Sequence, residues 1–341
     1  MILQLVGPFD LVLSLEAAAI FYPGVEPPPG GCLRSAVSGP AVIELRQLSR
    51  RPARVELRVS GAPGDPRVCS LARRMVCADL DLRPFYRLAL RDPVMGPVTA
   101  SLAGLKPLQP ATIFEAAVIA ITEQQLSMAA AYRIRSRLVH AFGERAQDLW
   151  RFPDPDRFAV APASELARCG LSRQKINYLQ ALARSIVAGE MDLEATRRAG
   201  DAEIRARLTQ IPGFGPWSVE HVLLHGFGRP GALPSSDVSL QKVVGHYLAD
   251  DRRLTADTLE RALSPFQPYA GLAAFYLSVA YRRRDGEIRQ PNHAVGGRTR
   301  TAGVGPRALR PRPAQPESHD EARNPPESGR FKSRNPERRD R

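Results

Sequence analysis

Between about residues 107 and 289 apolar side chains return every three or four positions, in stretches of single-helix length separated by short connections that carry Gly or Pro. This period constrains the fold more than any other feature, because a helical stripe is stable only when buried against a neighbouring stripe. Over 113–126 the pattern places Phe114, Ala117, Val118 and Ile121 on one face. Over 128–142 it continues with Ala131, Ile134 and Leu138, with His140 on the same stretch and arginines flanking. Further helices are predicted at 164–169, 173–188, 201–210, 217–226, 238–248, 255–263 and 270–283. Residues 106–290 are therefore expected to form an all-α domain.

The first 105 residues read differently. "AVIELRQL" (41–48) and "ARVELRV" (53–59) are β-like runs, and the second alternates Val55, Leu57 and Val59 with Arg54, Glu56 and Arg58, as a half-buried strand does. A helical pattern over 70–80 and Gly/Pro turns at 27–31 and 61–66 complete the signature of an α+β domain with an antiparallel sheet. From residue 291 to 341 Arg, Pro, Gly, Ser and Glu dominate and little can be buried, so this basic tail is expected to be disordered.

With 341 residues, 43% of them hydrophobic, the chain can bury ordinary cores without disulfides or metals. Cys32, Cys69, Cys77 and Cys169 show no CxxC spacing, which points to a reduced intracellular protein without a zinc site or iron–sulfur cluster. The apolar start, "MILQLVGPFDLVLSLEAAAIF", lacks a basic n-region and contains Pro8, Asp10 and Glu16, and no segment approaches the roughly 20 apolar residues of a membrane span. A cytoplasmic protein is expected. The formal net charge of +13 suggests a polyanionic partner. Of the 48 basic and 35 acidic residues, 12 and 6 lie from Pro291 onward, so residues 1–290 remain basic at 36 against 29.

Within the helical region stands "LTQIPGFGPWSVEHVLLHGFGRPGALPSSDVSLQ" (208–241). Pro212 stops one helix, and Gly213 and Gly215 permit backbone conformations and approaches closed to other residues. The next helix opens with unpaired N–H groups that favour an anion, so a phosphate can sit there without a basic side chain. The same residues would also serve as an ordinary corner between two helices. Asp237 has two readings as well, an N-cap for 238–248 or a functional carboxylate.

In order along the chain, "FEAAVIAITEQQLSMAAAYRIRSRLVHAFGE", the Pro-Gly-Phe-Gly-Pro hairpin and "PSSDVSL" resemble the helix-hairpin-helix DNA glycosylases, and within them the DNA-3-methyladenine glycosylase II, or alkylbase, family. "LRPFYRLALRDPVMGPVTASLAGLKPLQPATIFEAA" is similar to that family's domain junction. The resemblance covers about residues 1–285, more loosely before residue 70. It implies a TATA-binding-protein-like N-terminal domain, and a helical domain that binds double-stranded DNA, extrudes a damaged base and hydrolyses its N-glycosidic bond.

Carried over residue by residue, the resemblance makes Asp237 the catalytic carboxylate that stabilises an oxocarbenium-like transition state. It puts Gly213, Phe214 and Gly215 against DNA phosphate, and Gln125, with Leu126, in the gap left by the extruded base. Trp217 stands where strand-cleaving relatives carry a Schiff-base lysine, which implies a monofunctional enzyme using water. Trp217 and His221 would line the base pocket. Toward the end, "PYAGLAAFYLSVAYRR" resembles the closing helix, but Ser278 stands in place of a pocket Trp, so that one stacking wall is either missing or supplied by Tyr276 or Phe275. The carbonyls of Gln210, Pro212 and Gly215 are the expected seat of a structural monovalent cation, with no other cofactor. Arg173 and Lys175 would touch phosphate or simply be solvated. A nucleoid-associated monomer is expected. The alternatives are a bifunctional glycosylase with lyase activity and a DNA-binding protein without chemistry.

Overall fold

The computed structural model describes residues 1–21 and 31–284, which belong to one compact unit. The tail over 291–341 lies outside the described residues. Four antiparallel strands, β1 (Ile2–Gln4), β2 (Cys32–Ser38), β3 (Ala41–Arg50) and β4 (Ala53–Ser60), form a sheet in the order β1-β4-β3-β2. Helices α1 (Leu11–Phe21) and α2 (Pro66–Met75) belong to the same part of the chain. Their apolar faces share one core with the sheet, which includes Phe9, Leu15, Ile43, Leu45, Val55, Leu57, Val68 and Ala72.

The predicted face of β4 is correct: Val55 and Leu57 are buried, and Val59 packs against the same core. On β3 an irregularity between Gln47 and Ser49 interrupts the pairing, and Leu48 is half exposed, so the apolar run there is not matched by burial. The predicted helix at 70–80 begins four residues earlier, because Asp65 caps α2 by accepting the Arg67 N–H and Pro66 occupies its first turn.

Helices α3 (Leu82–Ala89) and α4 (Met95–Ser101) come next, followed by α5 (Ile113–Glu123) and α6 (Met128–Phe142). The strands β5 (Glu144–Ala146) and β6 (Leu149–Arg151) then form a hairpin. The expectation of an all-α region is corrected here. The two strands are three residues each, too short to show a period of two, and are anchored outside the helices: Ala146 shares a cluster with Ala36 and Val42, and Arg34 pairs with Asp148 at 2.7 Å.

The remaining helices are α7 (Pro155–Ala159), α8 (Ala163–Arg168), α9 (Arg173–Val187), α10 (Asp201–Thr209), α11 (Pro216–His225), α12 (Val238–Leu248), α13 (Ala256–Leu263) and α14 (Ala270–Arg284). They divide between two cores. One joins α5 to α11 through Ile121, Leu138, Phe158, Leu179, Leu208 and Val222. The other joins α12, α13 and α14 to α3 and α4, so residues from the first hundred positions pack against the last helix, with the Phe85 and Tyr276 rings 5.1 Å apart. Among the described residues, no helix is long and apolar enough to cross a membrane.

Candidate active site

A cleft of about 1030 Å³ opens where the two helical cores meet. One side comes from the end of α5, the following loop, α9 and α11, and the other from α12 and α14. The hairpin of 211–216 lies at its edge. Phe214 donates its N–H to the Ile211 carbonyl at 3.0 Å and buries its ring in the α5–α11 core. The expectation that Phe214 contacts phosphate is therefore corrected: its amide is spent inside the turn, and its side chain anchors the turn to the protein.

The flanking glycines are placed differently. Gly213 has φ +83°, and a Cβ there would stand 2.2 Å from the Tyr178 ring, so this position both requires a left-handed backbone and receives a packed aromatic. Gly215 caps α11, and a Cβ on it would meet nothing within 4 Å. Pro216 in the first turn lacks an N–H, and the amides that follow it precede any intrahelical acceptor. The Gly215 carbonyl accepts the Val219 N–H at 3.1 Å, and a carbonyl so engaged still holds a second lone pair with which to meet a cation. Among the described residues, no cluster of three or more His, Cys, Asp or Glu side chains is arranged to hold a metal.

Asp237 caps α12 and also lines the cleft. Its Oδ1 accepts the N–H groups of Ser239 at 2.7 Å and Leu240 at 3.0 Å, the geometry of an N-cap on α12, while Oδ2 accepts the indole N–H of Trp217 at 2.8 Å. Three donors thus hold one carboxylate rigidly in the cleft wall. The incoming loop is held too: Glu220 of α11 pairs with Arg205 and accepts the Leu233 N–H at 3.0 Å, and Gln241 donates to the Ser235 carbonyl at 3.0 Å.

Trp217, His221 and His225 are spaced by four on one face of α11, and their rings follow one another along it. Trp217 stacks on His221 at 5.0 Å and 30°, His221 lies 4.7 Å from His225, and the His225 ring meets the edge of Phe275 at 6.2 Å. Burial, with His225 and Arg135 nearby, pushes the His221 imidazole well below its ordinary value, and burial alone pushes His225 down to about 4. Both rings are neutral at pH 7. His225 escaped the sequence reading, although its spacing from Trp217 and His221 signals it.

Tyr276 does not line the cleft. Its side chain is fully buried in the other core, with its hydroxyl donating to the Leu105 carbonyl at 2.7 Å and 3.0 Å from the Tyr86 hydroxyl. A helix turns about 100° per residue, so the neighbour Phe275 faces the cleft instead. Ser278 also lines it, with its hydroxyl donating to the Ala274 carbonyl at 2.9 Å.

Across from this wall, α5 ends in a loop whose two glutamines point different ways. Gln124 turns inward, its side-chain amide donating to the Gly213 carbonyl at 2.9 Å and the Ser218 hydroxyl at 3.0 Å. Gln125 is exposed at φ +56°, and Leu126 beside it is 42% exposed, a large apolar side chain held out at the cleft's edge. Lys175 secures the loop by donating to the carbonyls of Thr122 at 2.9 Å and Gln124 at 2.7 Å, and burial lowers its ammonium from the usual lysine range. The reading of Lys175 as a solvated or phosphate-binding residue is corrected: it braces the loop. Arg173 is exposed at the start of α9.

A family model described as "HhH-GPD superfamily base excision DNA repair protein" matches residues 118–268, a span that runs from α5 past α13 and contains the hairpin, Trp217 and Asp237. Over that span the chain is similar to the HhH-GPD superfamily. Among curated relatives, a DNA-3-methyladenine glycosylase of Bacillus subtilis is 29% identical over 203 residues, covering 58% of this chain and 67% of that protein. A DNA-3-methyladenine glycosylase of Saccharomyces cerevisiae is 31% identical over 146 residues, covering 41% of this chain and 48% of its own length. The chain thus spans about half to two thirds of the curated relatives it matches. The fold extends further than these alignments: the structure of a 3-methyladenine DNA-glycosylase from Archaeoglobus fulgidus has a TM-score of 0.72 at 20% identity, covering 83% of this chain and 98% of that one.

Proposed function

We propose that this chain is a monofunctional DNA glycosylase of base excision repair that extrudes damaged purines, alkylated ones foremost, and hydrolyses their N-glycosidic bond. One observation carries the reading. Asp237 presents a carboxylate fixed by three N–H donors, one of them the Trp217 indole, in the wall of a cleft large enough for a nucleotide. As the C1′–N bond lengthens, positive charge develops on the sugar, and an anion that cannot swing away stabilises it without reorganising. The same carboxylate takes the proton from the attacking water. The Trp217 and His221 rings, stacked on one another in the cleft lining, offer an aromatic wall to a flat, electron-poor base.

Extrusion leaves a gap in the duplex that a side chain fills. Gln125 and Leu126 serve as that wedge: both are exposed at the tip of a loop tied to the hairpin through Gln124. The free amides around Gly213 and Gly215 grip phosphate beside it. The hairpin carbonyls of Gln210, Pro212 and Gly215 hold a monovalent cation. Residues 1–105 form a TATA-binding-protein-like domain bracing the glycosylase domain of 106–290, and the protein acts as a cytoplasmic, nucleoid-associated monomer.

Water, not an amine, is the nucleophile in this reading. The lysine of the cleft lining, Lys175, holds two backbone carbonyls and is occupied in that role. Base release from duplexes bearing one defined lesion tests the reading: alkylpurines are released, abasic sites stay uncut, and borohydride traps no covalent adduct. Trapping of an adduct would make the enzyme bifunctional. Binding of damaged duplex with no base released would leave a DNA-binding protein without chemistry.

A further inference from the structure

The cleft holds a second carboxylate that the proposed hydrolysis does not use. Glu123, the last residue of α5, has a side chain only 11% exposed, and its Oε1 accepts from Arg135 Nη1 at 2.9 Å. Its Oε2 lies 3.8 Å from Nε2 of His221, too far for a hydrogen bond. Nε2 of His221 is buried without any hydrogen-bond partner, in a residue that is itself 9% exposed. Two polar atoms therefore face each other in the lining of the cleft without satisfying each other. A buried ring nitrogen left unpaired is costly, and in a cleft the missing partner is a group that arrives from outside.

The two carboxylates of this cleft are prepared differently. Asp237 is surrounded by N–H donors and offers lone pairs only. Glu123 is held up to about 7, chiefly by burial, with Asp237 adding to the effect and Arg135 and Lys175 opposing it, so it carries a proton through much of the neutral range. Paired acids with divergent environments divide acid and base roles between them.

The geometry points to Glu123 as the general acid for neutral purine leaving groups, with His221 accepting a hydrogen bond from the same base. This rests on the glycosylase reading above and extends it to a substrate class. An alkylated purine already bears positive charge and departs as a neutral base. A neutral purine such as hypoxanthine departs as an anion unless a proton reaches its ring. In the proposed step the Glu123 proton passes to a purine ring nitrogen as the C1′–N9 electron pair goes to the base. Water then bonds to C1′ and gives its proton to Asp237, and exchange with solvent restores both acids. The titratable and charged groups around Glu123 are Arg135 from α6, Lys175 from α9, His221 from α11 and Asp237 from α12.

The test is single-turnover base release by the full chain from two duplexes, one carrying hypoxanthine and one 7-methylguanine, between pH 5.5 and 8.5. The expected wild-type rate on hypoxanthine falls by about tenfold per unit above pH 7, while the rate on 7-methylguanine does not follow it. Glu123→Gln is expected to lower hypoxanthine release by about 30-fold or more beyond any loss on 7-methylguanine, and to remove the pH dependence. Equal losses on both substrates, or a wild-type ratio independent of pH, overturn the assignment. The wild-type profile decides the matter even if Glu123→Gln is poorly folded. Release of 7-methylguanine but never of hypoxanthine overturns Glu123 as acid and leaves the proposed function standing, whereas release of neither overturns both.

Discussion

The indole N–H of Trp217 donates to Oδ2 of Asp237 at 2.8 Å, tying the first turn of α11 to the cap of α12. The carboxylate is at once a cap, a partner for the indole and the candidate catalytic group, and these roles separate by substitution. Asp237→Asn keeps a good N-cap, because Asn caps about as well as Asp, but removes the negative charge. Base release is expected to fall by at least about 100-fold, the order of losing one preorganised electrostatic group, with duplex binding retained and stability lowered by about 1–2 kcal/mol because the new NH2 cannot accept the Trp217 indole N–H. Rates on an alkylpurine duplex, a binding titration and urea unfolding check the three parts.

Gly213→Ala tests the hairpin. The left-handed φ of +83° costs a side-chain-bearing residue about 1–2 kcal/mol, and the Tyr178 ring must also give way. The expected result is a lower Tm together with weaker binding to undamaged duplex. Gly215→Ala, where a Cβ meets nothing, should leave Tm nearly unchanged and weaken DNA binding alone.

Neighbouring positions on α14 should respond in opposite ways. Tyr276→Phe leaves the Leu105 carbonyl without its 2.7 Å donor and is expected to destabilise the fold by about 1–2 kcal/mol while sparing base release per folded molecule. Phe275→Leu, in the cleft wall, should lower base release with a smaller change in stability. A larger catalytic loss in the Tyr276 variant would contradict the assigned wall.

Burial raises the Glu115 carboxyl to about 7, against an ordinary value of 4.5. Between these values the folded state holds a proton the unfolded state has lost, so this group's contribution to stability declines as pH rises from about 4.5 to 7. Glu115→Gln removes that decline, and its amide oxygen can still accept the Ala111 N–H now held at 3.1 Å. The variant should match wild type near pH 4 and exceed it by up to about 3 kcal/mol at pH 8, read from urea midpoints. A constant difference across that range would contradict a raised Glu115 carboxyl.

Much of this protein follows from local chemistry that a sequence carries on its face. The amphipathic repeats specify helices because one stripe of each must be buried, so the predicted 238–248 agrees at both ends with α12, while 173–188 exceeds α9 by one residue. The alternation in β4 specifies its buried face for the same reason. The Gly-Phe-Gly hairpin and the capping Asp237 are likewise written in residues whose conformational demands are local. Side chains whose roles depend on another segment were not legible. Whether Tyr276 or Phe275 faces the cleft depends on how α14 is rotated against α3, and Tyr86 decides that from 190 positions away. Gln124 became an inward strut, and Lys175 a brace, only when the hairpin and the end of α5 came together. Residue chemistry sets which groups of this protein can bind, cap or titrate, whereas packing sets which of them meet in one cleft, because burial and hydrogen bonding are satisfied between elements far apart in the chain.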